Sequence, residues 1–184
     1  SALNNAHAFT VEVREQSLRV LYFAHRLSAR FKSIRGELAR DPGLSFTALY
    51  RTIGDRYTVQ GERFEEDAFV EAGLPETPEQ FARFDVVILA PMPPRDWPEA
   101  AMQVLQAFVE DGGAVVFLGG EDAYAAALEA SPLAALFPWR TAPGEALVTG
   151  DFPVTIPGLH AGHPIVDGLP SADATGRPLT LETL

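Results

Sequence analysis

The stretch Val115-Val116-Phe117-Leu118-Gly119-Gly120-Glu121-Asp122-Ala123-Tyr124 decides the fold. It reads as an apolar strand passing through two glycines into a helix. In three-layer α/β enzymes, a tight strand-to-helix turn of this kind carries the reactive side chain at the carboxyl end of a parallel strand. Here the turn offers two carboxylates, Glu121 and Asp122, and the whole chain has no cysteine. The stretch specifies an architecture and withholds the usual nucleophile.

The same grammar recurs upstream. Val86-Val87-Ile88-Leu89-Ala90 is apolar at every position, as in a central parallel strand covered on both faces. Arg19-Val20-Leu21-Tyr22-Phe23-Ala24 predicts another strand. In Leu44–Arg51, Leu44, Phe46 and Ala48 alternate with Ser45, Thr47 and Leu49. Between these two strands Ser28 caps a helix whose Phe31, Ile34 and Leu38 recur at helical spacing, and Asp41-Pro42-Gly43 stops it. Thr77-Pro78-Glu79-Gln80 is a capping box with proline at the first helical position, predicting a short helix that ends near Phe84. Asp96-Trp97-Pro98-Glu99 opens a longer helix that buries Met102, Leu105, Phe108 and Val109 and ends at Gly112-Gly113. Residues 123–128 continue as a helix, Ser131 caps a turn over 132–137, and residues 148–156 supply one or two strands. Residues 52–76 predict a long polar connection with little periodicity.

Strands apolar on both faces and separated by amphipathic helices imply a three-layer, doubly wound, mostly parallel α/β sheet of flavodoxin-like order. Ligands of such sheets bind beyond the carboxyl ends of the strands, near the switch point. That rule places residues 25–30, 52 onward, 91–96 and 119–122 on one rim. Ahead of the sheet, Phe9, Val11 and Val13 alternate with Thr10, Glu12 and Arg14. This strand is either the last of a preceding β domain or an extra edge strand. The first reading makes 1–16 a residual strand and linker, and 17–184 the α/β domain.

The chain of 184 residues is 47% hydrophobic, enough for a substantial core, and carries a net charge of −11. That sign disfavours nucleic acid and anionic lipid as partners. The absence of cysteine excludes disulfides, thiolate catalysis and cysteine-type zinc sites. There is neither a membrane-length apolar run nor a phosphate-cradling glycine loop, so no cofactor and no metal is expected.

Charge is uneven along the chain. Arg14, Arg19, Arg26, Arg30, Lys32, Arg35 and Arg40 crowd the first quarter. They form either a solvated face or a basic rim, at Arg26, Arg30 and Lys32, that receives a carboxylate or phosphate. Glu121 and Asp122 serve either as acid and base or as charge stabilisation at a helix amino terminus. His25 ends the first strand and is the imidazole best placed to approach Glu121. His160-Ala161-Gly162-His163 has the look of half a metal site without a third ligand. Asp96 and His163 complete the candidate ligand-binding set.

Several of these segments together resemble the glutamine amidotransferase-like domain of large bacterial membrane proteins that also carry von Willebrand A-like and immunoglobulin-like domains. The segments are Arg19-Val-Leu-Tyr-Phe-Ala, the helix containing Lys32, Asp41-Pro-Gly, the run from Gly73 to Leu89, Gly112-Gly-Ala-Val-Val-Phe-Leu-Gly-Gly and Ser131-Pro-Leu-Ala-Ala-Leu-Phe-Pro. The resemblance covers roughly residues 18 to 140. A more distant likeness, through the double glycine and His163-Pro164-Ile165, is to trehalose-utilisation-type domains. The family's Gly-x-Cys-x-Gly elbow, laid on Gly119-Gly120-Glu121-Asp122-Ala123, puts Glu121 at the cysteine position, and a carboxylate cannot form the thioester of glutamine hydrolysis. Where the family has Pro-Arg-Trp-Glu after its first strand, this chain has Leu27-Ser28-Ala29-Arg30.

The resemblance therefore implies a nucleophile-less module of a larger membrane-anchored bacterial protein, placed outside the cytoplasm. Such a module would serve protein interaction or the sensing of a small anionic or sugar ligand, with other domains of the parent protein or separate proteins as partners. The competing expectation is a hydrolase acting on a sugar or amide through Glu121 with His25 or His163.

Overall fold

The computed structural model describes residues 17–52, 56–61, 73–92, 98–118, 131–137, 151–153, 163–164 and 180–182. Strands β1 (Leu18–Ala24), β2 (Leu44–Arg51), β3 (Tyr57–Gly61), β4 (Val86–Leu89) and β5 (Ala114–Phe117) make one sheet in the order β3-β2-β1-β4-β5. β1 runs parallel to both β2 and β4, β4 runs parallel to β5, and β3 runs antiparallel to β2. The chain leaves β1 outward to β2 and later returns past β1 to β4 and β5. The direction of winding therefore reverses between β1 and β4, as in a doubly wound sheet. The sheet is mostly parallel with β3 as its antiparallel member, an order consistent with the flavodoxin-like one expected. A separate antiparallel pair joins β6 (Asp151–Pro153) to β7 (Thr180–Glu182).

Local chemistry sets the helices. α1 (Ala29–Leu38) starts where the Ser28 hydroxyl accepts from the Phe31 backbone N–H at 3.2 Å. α2 (Pro78–Phe81) opens on the complete Thr77/Gln80 capping box. α3 (Glu99–Glu110) begins after Pro98 without a side-chain cap, and its carboxyl end turns through Gly112 at φ +100°. A 3-10 turn over Pro132–Leu136 is capped by Ser131, whose hydroxyl accepts from Leu133 N–H.

The alternation of β1 divides the core in two. Leu21 and Phe23 point to one face, where Leu49, Val87 and Leu89 meet α2, α3 and the 3-10 turn through Phe81, Met102, Leu105 and Leu133. Val20, Tyr22 and Ala24 point to the other, where Phe46, Ala48 and Tyr50 meet Phe31 of α1. Helices thus cover both faces of the sheet. β1 needs no polar side because it is buried from Val20 to Ala24.

The amino ends of β1 and β4 are clasped. Asp85 accepts from the Arg19 backbone N–H (2.9 Å), from Nε (3.1 Å) and from Nη2 (2.9 Å), while its own N–H donates to the Arg19 carbonyl. One carboxylate thereby satisfies both the guanidinium and the strand's end.

Four expectations need correction. The connection over residues 52–76 contains β3, whose Tyr57 and Val59 pack on the core while Tyr57 stacks on Phe23 at 5.6 Å. The Tyr57-Thr58-Val59-Gln60 alternation is a strand signal, short and flanked by charge. β5 is half-covered rather than buried on both faces: among the described residues it is an edge strand, and Val116 is 43% exposed. α2 stops at Phe81, and Phe84 is buried beyond its end, in a turn closed by its N–H donating to the Phe81 carbonyl. Phe108 and Val109 are half-buried, against full burial of Leu105. Residues 1–16 and the helix expected over 123–128 lie outside the described residues.

Gly61 ends β3 at φ +105°, and a Cβ there would stand 2.0 Å from the Phe46 carbonyl oxygen. Gly61→Ala is therefore expected to cost about 2 kcal/mol or more in chemical denaturation; an unchanged midpoint would contradict the described β2–β3 pairing.

The hydrogen bond from the Arg19 side chain is the largest of the effects that hold the Asp85 carboxyl below its usual range. A group with a depressed folded pKa stabilises the fold above its unfolded value, about 3.9 for Asp, and loses that contribution as pH falls through the folded value. Both partners are partly exposed, so solvent screening limits the effect to about 1 kcal/mol at pH 7. Asp85→Asn is expected to lower stability by that amount at neutral pH and to approach the parent chain progressively as denaturation series are taken below about pH 4 and through the lower folded value.

Candidate functional site

At the carboxyl end of β1, Ala24 pairs with Tyr50 of β2. One residue further on, this register sets His25 beside Arg51, and Nη1 of Arg51 stands 3.1 Å from Nε2 of His25. A guanidinium offers only donors, so Nε2 is the acceptor, which assigns the proton of a neutral ring to Nδ1. His25 is 8% exposed, while Arg26 and Leu27 are exposed, Leu27 at 54%. These residues, with Arg51 and Thr52, line an open cleft of about 500 Å³. Thr52 fixes its far side: the backbone N–H and the hydroxyl both donate to the Arg56 carbonyl, closing the turn between β2 and β3.

The loop from His25 to Ser28 runs directly into the amino end of α1. The first turn of α1 has no acidic residue. Its positive dipole end therefore faces the rim without a side-chain counter-charge of its own.

The structure brings together only part of the expected set. His25 and Arg26 share the cleft. Arg30 is half-buried on α1, where its charge acts on the buried Tyr22 hydroxyl; burial raises the pKa of that hydroxyl and Arg30 opposes the rise. Lys32 is exposed one step further along α1. His163 is exposed, and His160 lies outside the described residues, as do Asp96, Glu121 and Asp122. Among the described residues no three His, Asp or Glu side chains gather as a metal site. Nor is any helix among them long and apolar enough to cross a membrane.

Arg51 is the site residue that sequence reasoning missed. It closes a strand otherwise read for its core face, and its pairing with a residue 26 positions away becomes visible only with the β1–β2 register.

A second cavity of about 300 Å³ lies at the opposite end of the sheet, among Phe81, Phe84, Val104, Phe108, Gly112 and the Arg19–Asp85 clasp. Arg19 and Asp85 on its wall bond each other, Asp111 adds a third charged residue, and the rest of its lining is mostly apolar. It lies away from the carboxyl ends of the parallel strands, where sheets of this kind place ligands.

Comparisons with protein-family models, with curated proteins and with solved structures find no match to this chain.

The Ser28 hydroxyl is committed to capping α1. Ser28→Ala is expected to cost about 1 kcal/mol in stability; a loss well under half of that in thermal or denaturant unfolding would show that the cap contributes little.

Proposed function

We propose that this domain is a non-catalytic, class I glutamine amidotransferase-like module of a larger membrane-anchored bacterial protein, and that it recognises a ligand or partner at the carboxyl rim of its sheet. The observation that carries the reading is the make-up of the described rim beside the switch point. It presents two guanidinium groups, an imidazole and an apolar side chain, and the one hydroxyl in the cleft lining donates to a backbone carbonyl. These are groups that hold a ligand. A thiolate, the nucleophile of amidotransferases, is excluded because the chain has no cysteine. The strand order supports the amidotransferase-like architecture at the level of a doubly wound sheet. The parent protein, its anchoring and an extracytoplasmic placement rest on the sequence resemblance alone.

A hydrolase remains the second reading, favoured by the largely buried His25 at the cleft wall. It needs a carboxylate, Glu121 by sequence position, within hydrogen-bond reach of an imidazole or one water away.

The two readings separate in a turnover screen of the full chain with glutamine, chromogenic glycosides and chromogenic amides. No rate above buffer is expected. A saturable rate that disappears in Glu121→Ala and in His25→Ala, with both variants folded, would replace the recognition reading by the hydrolase.

A further inference from the structure

We propose that the cleft between the ends of β1 and β2 binds the phosphate group of a small phosphorylated ligand; this names the ligand class of the recognition module proposed above and rests on that reading.

Three observations converge. First, Arg26 and Arg51 line the cleft from two different strand ends, with His25 in the same lining and bonded to Arg51. Two guanidinium groups around one space can present several N–H donors to a tetrahedral oxyanion, and such charge-assisted bonds are the strong ones. Second, no carboxylate is among the described residues lining this cleft, although the chain carries a net charge of −11. Two arginines lining one concavity attract anions locally against the overall field of so acidic a chain.

Third, the amino end of α1 carries cations and no acid: Arg30 lies in its first turn and Lys32 follows, whereas its last turn holds both Arg35 and Glu37. Cations at a helix amino terminus oppose the dipole. A bound anion would offset that cost, and an amino terminus leading out of a strand-end loop is a general phosphate position. The cleft, at about 500 Å³, exceeds a bare phosphate, and the exposed Leu27 on its wall gives an organic substituent an apolar surface.

The test uses the isotope-labelled full chain at low ionic strength, titrated with phenyl phosphate and followed by backbone amide shifts. Saturable shifts are expected at residues 25–31 and 51–52, reversed by competing inorganic phosphate and weakened by added salt. Arg51→Gln and Arg26→Gln should each weaken binding about tenfold, the loss expected for one charge-assisted hydrogen bond. Arg40→Gln makes the same change of net charge at the other end of α1, where Arg40 pairs with Glu37, and should leave binding unchanged. Arg26 is exposed, so its variant keeps the test decisive if Arg51→Gln fails to fold.

The proposal is overturned by the absence of saturation in the millimolar range, by equal affinity in Arg26→Gln and the parent chain, or by phenylacetate binding as well as phenyl phosphate. Release of phenol during the titration would keep the phosphate site and overturn the non-catalytic reading. Absence of both binding and turnover would remove the phosphate site and leave the recognition reading standing.

Discussion

Everything in this domain hangs on β1 being paired along both edges. β2 lies on one side and β4 on the other, both parallel to it. A strand so placed has no edge for water and no polar face, which is why residues 20–24 are buried without interruption. From its carboxyl end the chain winds outward to β2, and it later comes back past β1 to β4. At its amino end the Asp85 carboxylate ties the Arg19 backbone and side chain to β4. One end of the strand is therefore locked by satisfied charge, while the other opens into a cleft lined by donors. The same strand supplies the fold's anchor and its candidate recognition edge.

What the sequence made legible was governed by range. The Ser28 and Thr77 caps, the stop at Asp41-Pro42-Gly43 and the span of β2 each depend on residues within one or two turns of chain. Side chains and backbone decide these locally. β3 escaped because its four alternating residues are too few to stand out between charged flanks, and because its apolar members gain meaning only from Phe23, which Tyr57 stacks upon. The exposure of Val116 on β5 could not be read from composition either, since an edge strand and a central strand can share the same apolar letters.

The candidate site was legible to a lesser degree, for the same reason. His25 and Arg26 follow from the rule that ligands gather beyond strand ends. Arg30 and Lys32 were grouped with them because they are near in sequence, yet neither lines the cleft, and the Arg30 charge acts on the Tyr22 hydroxyl. Arg51 was passed over because it is distant in sequence. A site assembled across parallel strands depends on register, and register is a property of the assembled sheet.

The cleft also has a place in the order of assembly. It belongs wholly to the β1-α1-β2-β3 half of the sheet. Residues paired across the turn between β2 and β3 begin at Arg51 and Tyr57, whereas Asp85 must find Arg19 across 66 positions. Loop-closure entropy makes the longer closure costlier by about 2 kcal/mol, since each doubling of loop length adds roughly 0.6 kcal/mol. The half bearing His25, Arg26 and Arg51 therefore gains its contacts over shorter loops, whereas the seam to β4 needs the longer closure. A ligand held between the ends of β1 and β2 would stabilise the folded sheet over the unfolded chain by mass action.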